Sequence, residues 1–164
     1  MRKTLDFIIR GAEVTRYHTV RTIVDETVGH HSQMVALLCW LVDPNCSRNL
    51  LVAALSHDLA EHVLGDIPAP SKREFGIGEQ VNALEDRLLM SAGFSSHLDK
   101  EEKRLLKFCD NLQGLIKCGR EIELGNRRMQ EVFDRYRSYI ESTVLLGREK
   151  ELFDLVLEYF NERK

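Results

Sequence analysis

The chain has 164 residues, 43% of them hydrophobic and 30% charged, and a formal net charge of −3. This length fits one domain, over residues 1–164, with a hydrophobic core of its own. The slight negative charge argues against a general nucleic-acid binder, which carries a basic face, but not against a small anionic substrate.

The four cysteines are widely spaced and form no CxxC pair. Cys39 and Cys109 fall within apolar helical runs, where a free cysteine behaves as a small hydrophobe. No window approaches the roughly 18 apolar residues of a membrane span, and the amino-terminal sequence lacks the long apolar stretch that is typical of a signal peptide. We therefore expect a reduced, cytoplasmic protein that has neither a membrane nor a nucleic-acid polymer as its partner.

Nearly every long segment of the chain has the helical hydrophobic period. The first helix is predicted from about Thr27 to Val42, where the turn sequence DPN ends it. A second helix is predicted from Ser47 to about Leu64, with Gly65 as its carboxyl-terminal stop.

The second half of the chain alternates loops with amphipathic helices. In chain order, the prediction is a loop over residues 65–78, a helix over about Glu79–Met90, a loop over residues 91–98, a long helix from Asp99 to near Gly125, and two further helices that begin near Asn126 and after Gly147. The predicted fold class is therefore all-α, a compact helical bundle.

The doublet His57-Asp58 stands inside the otherwise apolar sequence AALSHDLAEHVLGD. A buried charge is costly unless it is paired, and imidazole and carboxylate groups are usual ligands for a divalent cation. His31 lies on the apolar face of the preceding helix, and Asp110 sits among apolar residues of a later one. Taken singly, each is more simply a hydrogen-bonded core residue or a paired acid. If the helices pack together, however, the four side chains converge on one metal site.

This ordered pattern, H…HD…D, resembles the signature of the HD-domain phosphohydrolases. The chain is most similar to the YfbR-like 5′-deoxynucleotidases and to the related short phage enzymes that hydrolyse dATP. Three blocks between Arg16 and Lys117 carry the resemblance: RYHTVRTIVDETVGHHS, HDLAEHVLGDIPAPSK and EEKRLLKFCDNL. The middle block is the most specific, because HDxxE followed by GDxPxPxK is found in few other contexts. The family fold is a helical bundle, in agreement with the periodicity.

The resemblance implies a role for nine residues. The implied metal ligands are His31, His57, Asp58 and Asp110. The implied catalytic carboxylates are Glu61 and Asp66, and the implied substrate contacts are Arg16, Tyr17 and Lys72. On a continuous helix Glu61 would lie beside His57, four residues earlier. The ligand set is compatible with one divalent metal: manganese, cobalt, iron, zinc or magnesium.

Three of these assignments have simpler alternatives. Arg16 could pair with Glu13 or Asp25, Tyr17 could be a partly buried aromatic residue, and Lys72 could be a solvated loop lysine. The sequence also leaves open which of the two catalytic carboxylates is the general acid.

Two positions depart from the family pattern. An acidic residue usually precedes the first ligand histidine, where this chain has His30, and an apolar residue commonly follows the catalytic glutamate, where it has His62. We expect His30 to be a solvated neighbour of the ligand His31. His62 could hydrogen-bond the ligand Asp58 from one turn away, or it could be a solvated surface residue.

The implied activity is hydrolysis of a deoxynucleotide at the bond next to its 5′ oxygen. The compact length and the RYHT and GDIPAPSK blocks favour a dATP triphosphohydrolase that releases deoxynucleoside and triphosphate; the alternative is a 5′-deoxynucleotidase that acts on monophosphates. Further alternatives are a non-catalytic nucleotide-binding HD protein, a purely structural helical protein, and a hydrolase of a guanosine alarmone. The carboxyl-terminal helices and the family resemblance also suggest a homo-oligomer.

Overall fold

The structure, a computed structural model, describes residues 1–94 and 97–162. Within these residues the chain is helical, and its β-structure is limited to one isolated bridge between Thr15 and Thr27. The helices are α1 (Arg2–Ala12), α2 (Val28–Val42), α3 (Arg48–Ser56), α4 (Glu61–Leu64), α5 (Ala69–Glu74), α6 (Gly78–Ser91), α7 (Lys100–Glu123), α8 (Gln130–Glu141) and α9 (Arg148–Asn161), with a 3₁₀ turn at Arg127–Met129. The all-α prediction is confirmed. Among the described helices, none has the length and apolarity needed to cross a bilayer.

Helices α2 and α7 form the centre of the bundle: α2 packs on α3, and α7 contacts α2, α3, α8 and α9. Their facing side chains, including Val35, Leu112 and Leu115, are fully buried in one hydrophobic cluster. Burying a side chain of this size contributes about 1.5–3 kcal/mol. Cys39 and Cys109 lie in the same cluster, as their apolar surroundings predict.

Three predicted helix starts are confirmed by side-chain caps. The side chains of Thr27, Ser47 and Asp99 each accept a hydrogen bond from the backbone N–H three residues further on. At Asp99 the Glu102 side chain accepts from the cap residue's own N–H in return, which completes a capping box. These caps define where α2, α3 and α7 begin. Helices α2 and α3 precede the His57-Asp58 doublet, and α7 carries Asp110.

The predicted continuous helix over Ser47–Leu64 is wrong at the His57-Asp58 doublet. Helix α3 ends at Ser56, α4 begins at Glu61, and the bonds between them close shorter turns: Leu59 N donates to Ser56 O and Glu61 N to Asp58 O, both at 3.0 Å. In such 3₁₀-type turns residues three apart eclipse each other. Glu61 therefore shares a side with Asp58, rather than with His57 as the i,i+4 spacing suggests.

Two further helices are absent from the sequence prediction. Helix α1 is missed although Leu5, Ile8 and Ile9 have helical spacing; these side chains are exposed, and the helix buries Phe7 and Gly11 instead. Helix α5 lies within the predicted loop over residues 65–78. It is too short for a helical hydrophobic period to be recognised in its sequence. Residues 95–96 of the predicted loop over 91–98 lie outside the described residues.

Candidate active site

The four predicted metal ligands come together at the centre of the bundle. His31 projects from α2, His57 and Asp58 from the turn after α3, and Asp110 from α7. The Nε2 atom of His31 lies 3.3 Å from His57 Nε2, 3.4 Å from Asp58 Oδ2 and 3.3 Å from Asp110 Oδ1. The Nε2 atom of His57 lies 3.4 Å from Asp58 Oδ1 and 4.0 Å from Asp110 Oδ1.

The donor set fits a cation because the hydrogen bonds of the two rings leave their lone pairs facing each other. His31 Nδ1 lies 2.6 Å from the side-chain oxygen of Gln113, and His57 Nδ1 lies 2.9 Å from the backbone oxygen of Ala54. Since both oxygens are acceptors, each neutral ring carries its hydrogen on Nδ1 and presents an Nε2 lone pair to the site. Two imidazole lone pairs beside two carboxylates form a nitrogen and oxygen ligand set typical of a divalent transition metal.

The orientation of His31 is set by a relay that the sequence does not reveal. Gln113, which is 2% exposed, donates from its amide nitrogen to Glu26 Oε1 at 2.7 Å. Because a carboxylate can only accept, the amide oxygen of Gln113 must face His31. Glu26, which is 3% exposed, thus acts through Gln113 on the His31 tautomer, as outer partners of metal-bound histidines do.

The two aspartates are held in their charged form. Burial raises the pKa of Asp58, but the neighbouring His57 and Arg16 lower it by more than burial raises it. The net pKa therefore lies below the usual value. Burial acts in the same way on Asp110, and the hydrogen bond to His31 together with the charge of Lys107 brings its pKa well below the usual value. Ionised carboxylates in a buried cluster are the form that metal binding requires.

Arg16 connects this cluster to the cavity in front of it. Its guanidinium donates from Nη1 to Asp58, and its Nε lies 3.5 Å from Glu26 Oε2. The alternative partners Glu13 and Asp25 are therefore not the ones it uses. Burial opposes the charge, but Asp58 and other neighbouring acids more than compensate and raise the pKa of Arg16, so the guanidinium stays charged.

A cavity of about 360 Å³ opens onto Asp58 and Asp110. This volume lies within the range of about 300–1,000 Å³ that is typical of small-molecule sites. Its wall contains five of the predicted site residues besides the aspartates: Arg16, Tyr17, Glu61, Asp66 and Lys72. It also contains residues of α8 that sequence reasoning missed: Val132, Arg135, Tyr136 and Tyr139.

Tyr17 adopts a strained backbone conformation in the wall of this cavity. Its φ of 59° lies in the left-handed region, which costs a residue other than glycine roughly 1–3 kcal/mol. Its hydroxyl lies 3.5 Å from that of Tyr136 on α8, and burial, together with Tyr136, raises the pKa of Tyr17 well above its usual value. The phenol is therefore neutral, and two aromatic side chains from distant parts of the chain meet at one edge of the cavity.

Glu61 and Asp66 both line the cavity but differ in their surroundings. Glu61 is 7% exposed, and its buried Oε2 has no hydrogen-bond partner among the described residues. Burial first, and then the charges of Asp58 and Asp66, raise the pKa of Glu61 to about 9. A cation at the adjacent ligands would act in the opposite direction. Asp66 lies 3.6 Å from His18 Nδ1 at the more open side.

The basic residues around the cavity fall into two groups. Lys72 Nζ lies 3.1 Å from Glu85 Oε1, and Lys107 Nζ lies 3.0 Å from Asp110 Oδ2, so both amines are already paired. Arg73 and Arg135 also line the cavity, and neither has an acidic partner within the part of the chain that the structure describes.

The two histidines that depart from the family pattern lie outside the cluster. His30 has an exposed ring with Nδ1 3.8 Å from Glu26 Oε1, as expected of a solvated neighbour. His62 fits neither alternative: its Nδ1 lies 2.7 Å from the backbone oxygen of Leu59, and its ring packs edge-on against Phe7 at 4.5 Å.

Comparison with known proteins places the chain among nucleotide phosphohydrolases. The YfbR-like 5′-deoxynucleotidase family matches residues 4–154. A 5′-deoxynucleotidase of Enterobacter sp. (strain 638) is 27% identical over 90% of this chain and 84% of the relative. The dATP triphosphohydrolase of cyanophage S-2L is 28% identical over 66% of this chain and 65% of the relative.

Two solved structures share the fold. The PH0347 protein of Pyrococcus horikoshii OT3 is 21% identical, with a TM-score of 0.75 and all of both chains covered. The cyanophage S-2L HD phosphohydrolase, solved with dA and one catalytic Zn²⁺ ion, is 20% identical, with a TM-score of 0.61 over 96% of this chain and 94% of that chain. With a family match over nearly its whole length and the ordered H…HD…D residues gathered at one point of an HD-type bundle, the chain belongs to the YfbR-like 5′-deoxynucleotidase family of HD-domain phosphohydrolases.

Proposed function

We propose that the chain hydrolyses deoxynucleotides at the bond next to the 5′ oxygen, and that His31, His57, Asp58 and Asp110 hold one divalent metal for this reaction. The observation that carries the proposal is the pair of Nε2 lone pairs facing each other at 3.3 Å, beside two carboxylates, Asp58 and Asp110, that line a cavity of about 360 Å³. The Zn²⁺ in the cyanophage structure supports a metal of this class.

When bound, such a cation supplies an activated water and neutralises charge on the phosphoryl oxygens. The chain itself supplies the remaining groups. Arg16, whose charged guanidinium faces the cavity, binds the phosphoryl oxygens and stabilises the negative charge that develops on them. Glu61 transfers the proton, because its Oε2 is unpartnered among the described residues and lies beside Asp58. Asp66 is the second carboxylate of the cavity.

The test is a panel of dNMPs and dNTPs incubated with Mn²⁺ or Co²⁺ and analysed for free nucleoside and released phosphate chains. We expect Glu61→Gln to lower kcat by about 10²–10⁴-fold while it keeps the metal, because it removes proton transfer alone. Asp58→Asn should lose both activity and metal. The control Glu79→Gln changes an exposed acid at the start of α6 and should keep the parental rate. Nucleotide binding without turnover by the parental chain would favour the non-catalytic alternative.

We further propose that the preferred substrate is a triphosphate, with dATP as the leading candidate. The support is the pair of arginines at the cavity, Arg73 and Arg135, whose charges no described acid neutralises. Lys72, which the family resemblance implies as a substrate contact, is already paired with Glu85. The cyanophage relative, named a dATP triphosphohydrolase, supports the same choice. The second candidate is a monophosphate substrate. It is favoured by the relatives named 5′-deoxynucleotidases, which the chain matches over more of their length than it matches the cyanophage enzyme.

Substitution of Arg135 separates these two candidates. A charge-assisted hydrogen bond to an outer phosphate contributes about 1.5–3 kcal/mol, so Arg135→Ala should raise the KM for dATP about tenfold or more and leave the KM for dAMP nearly unchanged. Arg137→Ala is the matched control, because Arg137 lies on the same helix but pairs with Glu141. Faster turnover of dAMP than of dATP, with equal effects of Arg135→Ala on both, would support the monophosphate instead.

A further inference from the structure

The segment between α1 and α2, residues 13–27, carries one wall of the cavity but has little structure of its own. Arg16, Tyr17, Thr19 and Val20 line the cavity from this segment. Its two ends are joined at the base, where Arg16 N donates to Glu26 O at 2.9 Å and the adjacent bridge pairs the chain. A loop joined only at its base leaves the residues near its tip free to move, so something else must hold the far side.

Hydrophobic burial does not hold the far side of the segment. Ile23 is 56% exposed and Val24 is 52% exposed, so their side chains point largely to solvent. The backbone at this point is instead bound by three polar side chains from α7 and the turn that follows it: Glu121, Lys117 and Asn126.

Glu121 is the centre of this polar group and is only 1% exposed. One carboxylate oxygen accepts from Ile23 N at 2.7 Å and from Asn126 at 2.9 Å; the other accepts from Val24 N at 3.0 Å and from Lys117 Nζ at 2.8 Å. Four donors satisfy the four acceptor positions of a carboxylate.

The two neighbours of Glu121 bind the same stretch of backbone through its carbonyl groups. Lys117 Nζ donates to Val24 O, and Asn126 donates to Arg21 O at 2.8 Å. Two N–H groups and two carbonyl groups of residues 21–24 are thus tied to α7 and the residues after it. Because α7 also carries Asp110, the group fixes the cavity wall relative to the metal ligands.

We infer that Glu121, together with Lys117 and Asn126, is a positioning site that holds segment 13–27 so that Arg16 and Tyr17 face the nucleotide. Glu121 lines neither the cavity nor the ligand cluster, so it acts on the substrate only through the segment that carries Arg16 and Tyr17. This inference rests on the proposed deoxynucleotide substrate.

The test compares Glu121→Gln and Asn126→Ala with the parental chain in steady-state kinetics on dATP and dAMP. An amide in place of the Glu121 carboxylate turns an N–H donor toward a backbone N–H and removes the charge that Lys117 faces. We expect KM to rise by about tenfold in Glu121→Gln and about threefold in Asn126→Ala, with a smaller fall in kcat, because Arg16 also stabilises the charge that develops on the phosphoryl group. Metal stoichiometry should be unchanged in both.

A second readout does not depend on turnover. Hydrogen exchange of the Ile23 and Val24 amides should accelerate in Glu121→Gln, because both amides bond to its carboxylate. The control Glu123→Gln, an exposed acid on the same helix, should change neither KM nor exchange. Faster exchange with unchanged KM overturns the inference, and so does protection that persists in Glu121→Gln. If Glu121→Gln does not fold, Asn126→Ala decides by the same two measurements. A parental chain that hydrolyses no deoxynucleotide refutes the proposed function instead.

Discussion

Gln113 is the residue on which the orientation of His31, the first of the proposed metal ligands, depends. It joins Glu26, at 2.7 Å, to His31 Nδ1, at 2.6 Å, inside the core. The sequence places His31, His57, Asp58 and Asp110 correctly on inward-facing positions, because charged residues in apolar runs stand out. A single buried amide in such a run gives no comparable signal, since its partners come from other elements.

We expect Gln113→Met to weaken metal binding about 10- to 100-fold, because the His31 ring loses the acceptor that fixes its tautomer. Methionine has a similar length, so the change removes the hydrogen bonds with little loss of volume. Isothermal titration with Mn²⁺ measures the effect directly. Gln33→Met, an exposed glutamine on α2, is the control. Equal affinities for Gln113→Met and the parental chain would contradict the relay.

At the scale of elements, α7 brings the parts of the site together. It carries Asp110, Gln113 and Glu121 and also packs against α8. The contact with α8 depends on Gly114, where a Cβ would lie less than 3.0 Å from three ring carbons of Tyr136. Tyr136 in turn lines the cavity, so the close approach of the two helices sets the position of the cavity wall.

Gly114→Ala should therefore act on both stability and substrate binding. Overpacking of this kind costs about 1–3 kcal/mol, and the displaced Tyr136 ring should raise the KM for the deoxynucleotide. Urea unfolding and steady-state kinetics measure the two effects. Gly78→Ala is the matched control, because nothing lies within 4 Å of a Cβ there and its φ is not positive. A parental KM in a folded Gly114→Ala variant would show that Tyr136 does not shape the substrate site.

The limits of sequence prediction are also clearest for the elements. Helical period and caps locate α2 and α7 closely, because these helices are long and each buries a face. Helix α6 follows from its period alone, since it has no side-chain cap and buries only Val81. The same signals miss the break at His57-Asp58, where the backbone forms tighter turns between α3 and α4 although the local sequence favours a continuous α-helix. They also miss the role of α8. Its sequence is that of an ordinary amphipathic helix, and only its packing on α7 shows that Arg135 and Tyr136 line the cavity.

For the whole molecule, the buried Glu121 makes stability depend on pH. Burial alone raises the pKa of Glu121, but the hydrogen bonds from Asn126, Lys117 and two backbone amides bring it down to about 2, from 4.5 in the unfolded chain. Since the folded pKa is the lower one, the ionised group stabilises the fold fully above about pH 4.5. This contribution is lost as the pH falls towards 2.

We expect Glu121→Gln to lower the free energy of unfolding by about 3–5 kcal/mol at pH 7, as for one partner removed from a buried ion pair. The difference from the parental chain should shrink steadily below about pH 4.5, because the unfolded parental chain then takes up a proton at Glu121 that the folded chain does not. Urea unfolding at pH 7, 5, 4 and 3 tests this, and Glu123→Gln should follow the parental curve throughout. A difference that stays constant with pH would mean that folding does not shift the pKa of Glu121.

Helix α1 closely approaches the turn that carries the His57-Asp58 doublet. This contact gives the first twelve residues a structural role that their composition does not indicate. A Cβ at Gly11 would lie less than 3.0 Å from the backbone of Leu59, the residue directly after His57-Asp58, and Phe7 packs edge-on against His62 just beyond it. Helix α1 contributes none of the proposed metal ligands, yet it supports the turn that presents His57 and Asp58. Shortening the protein from its amino end should therefore disturb the proposed metal site before any of its proposed ligands is removed.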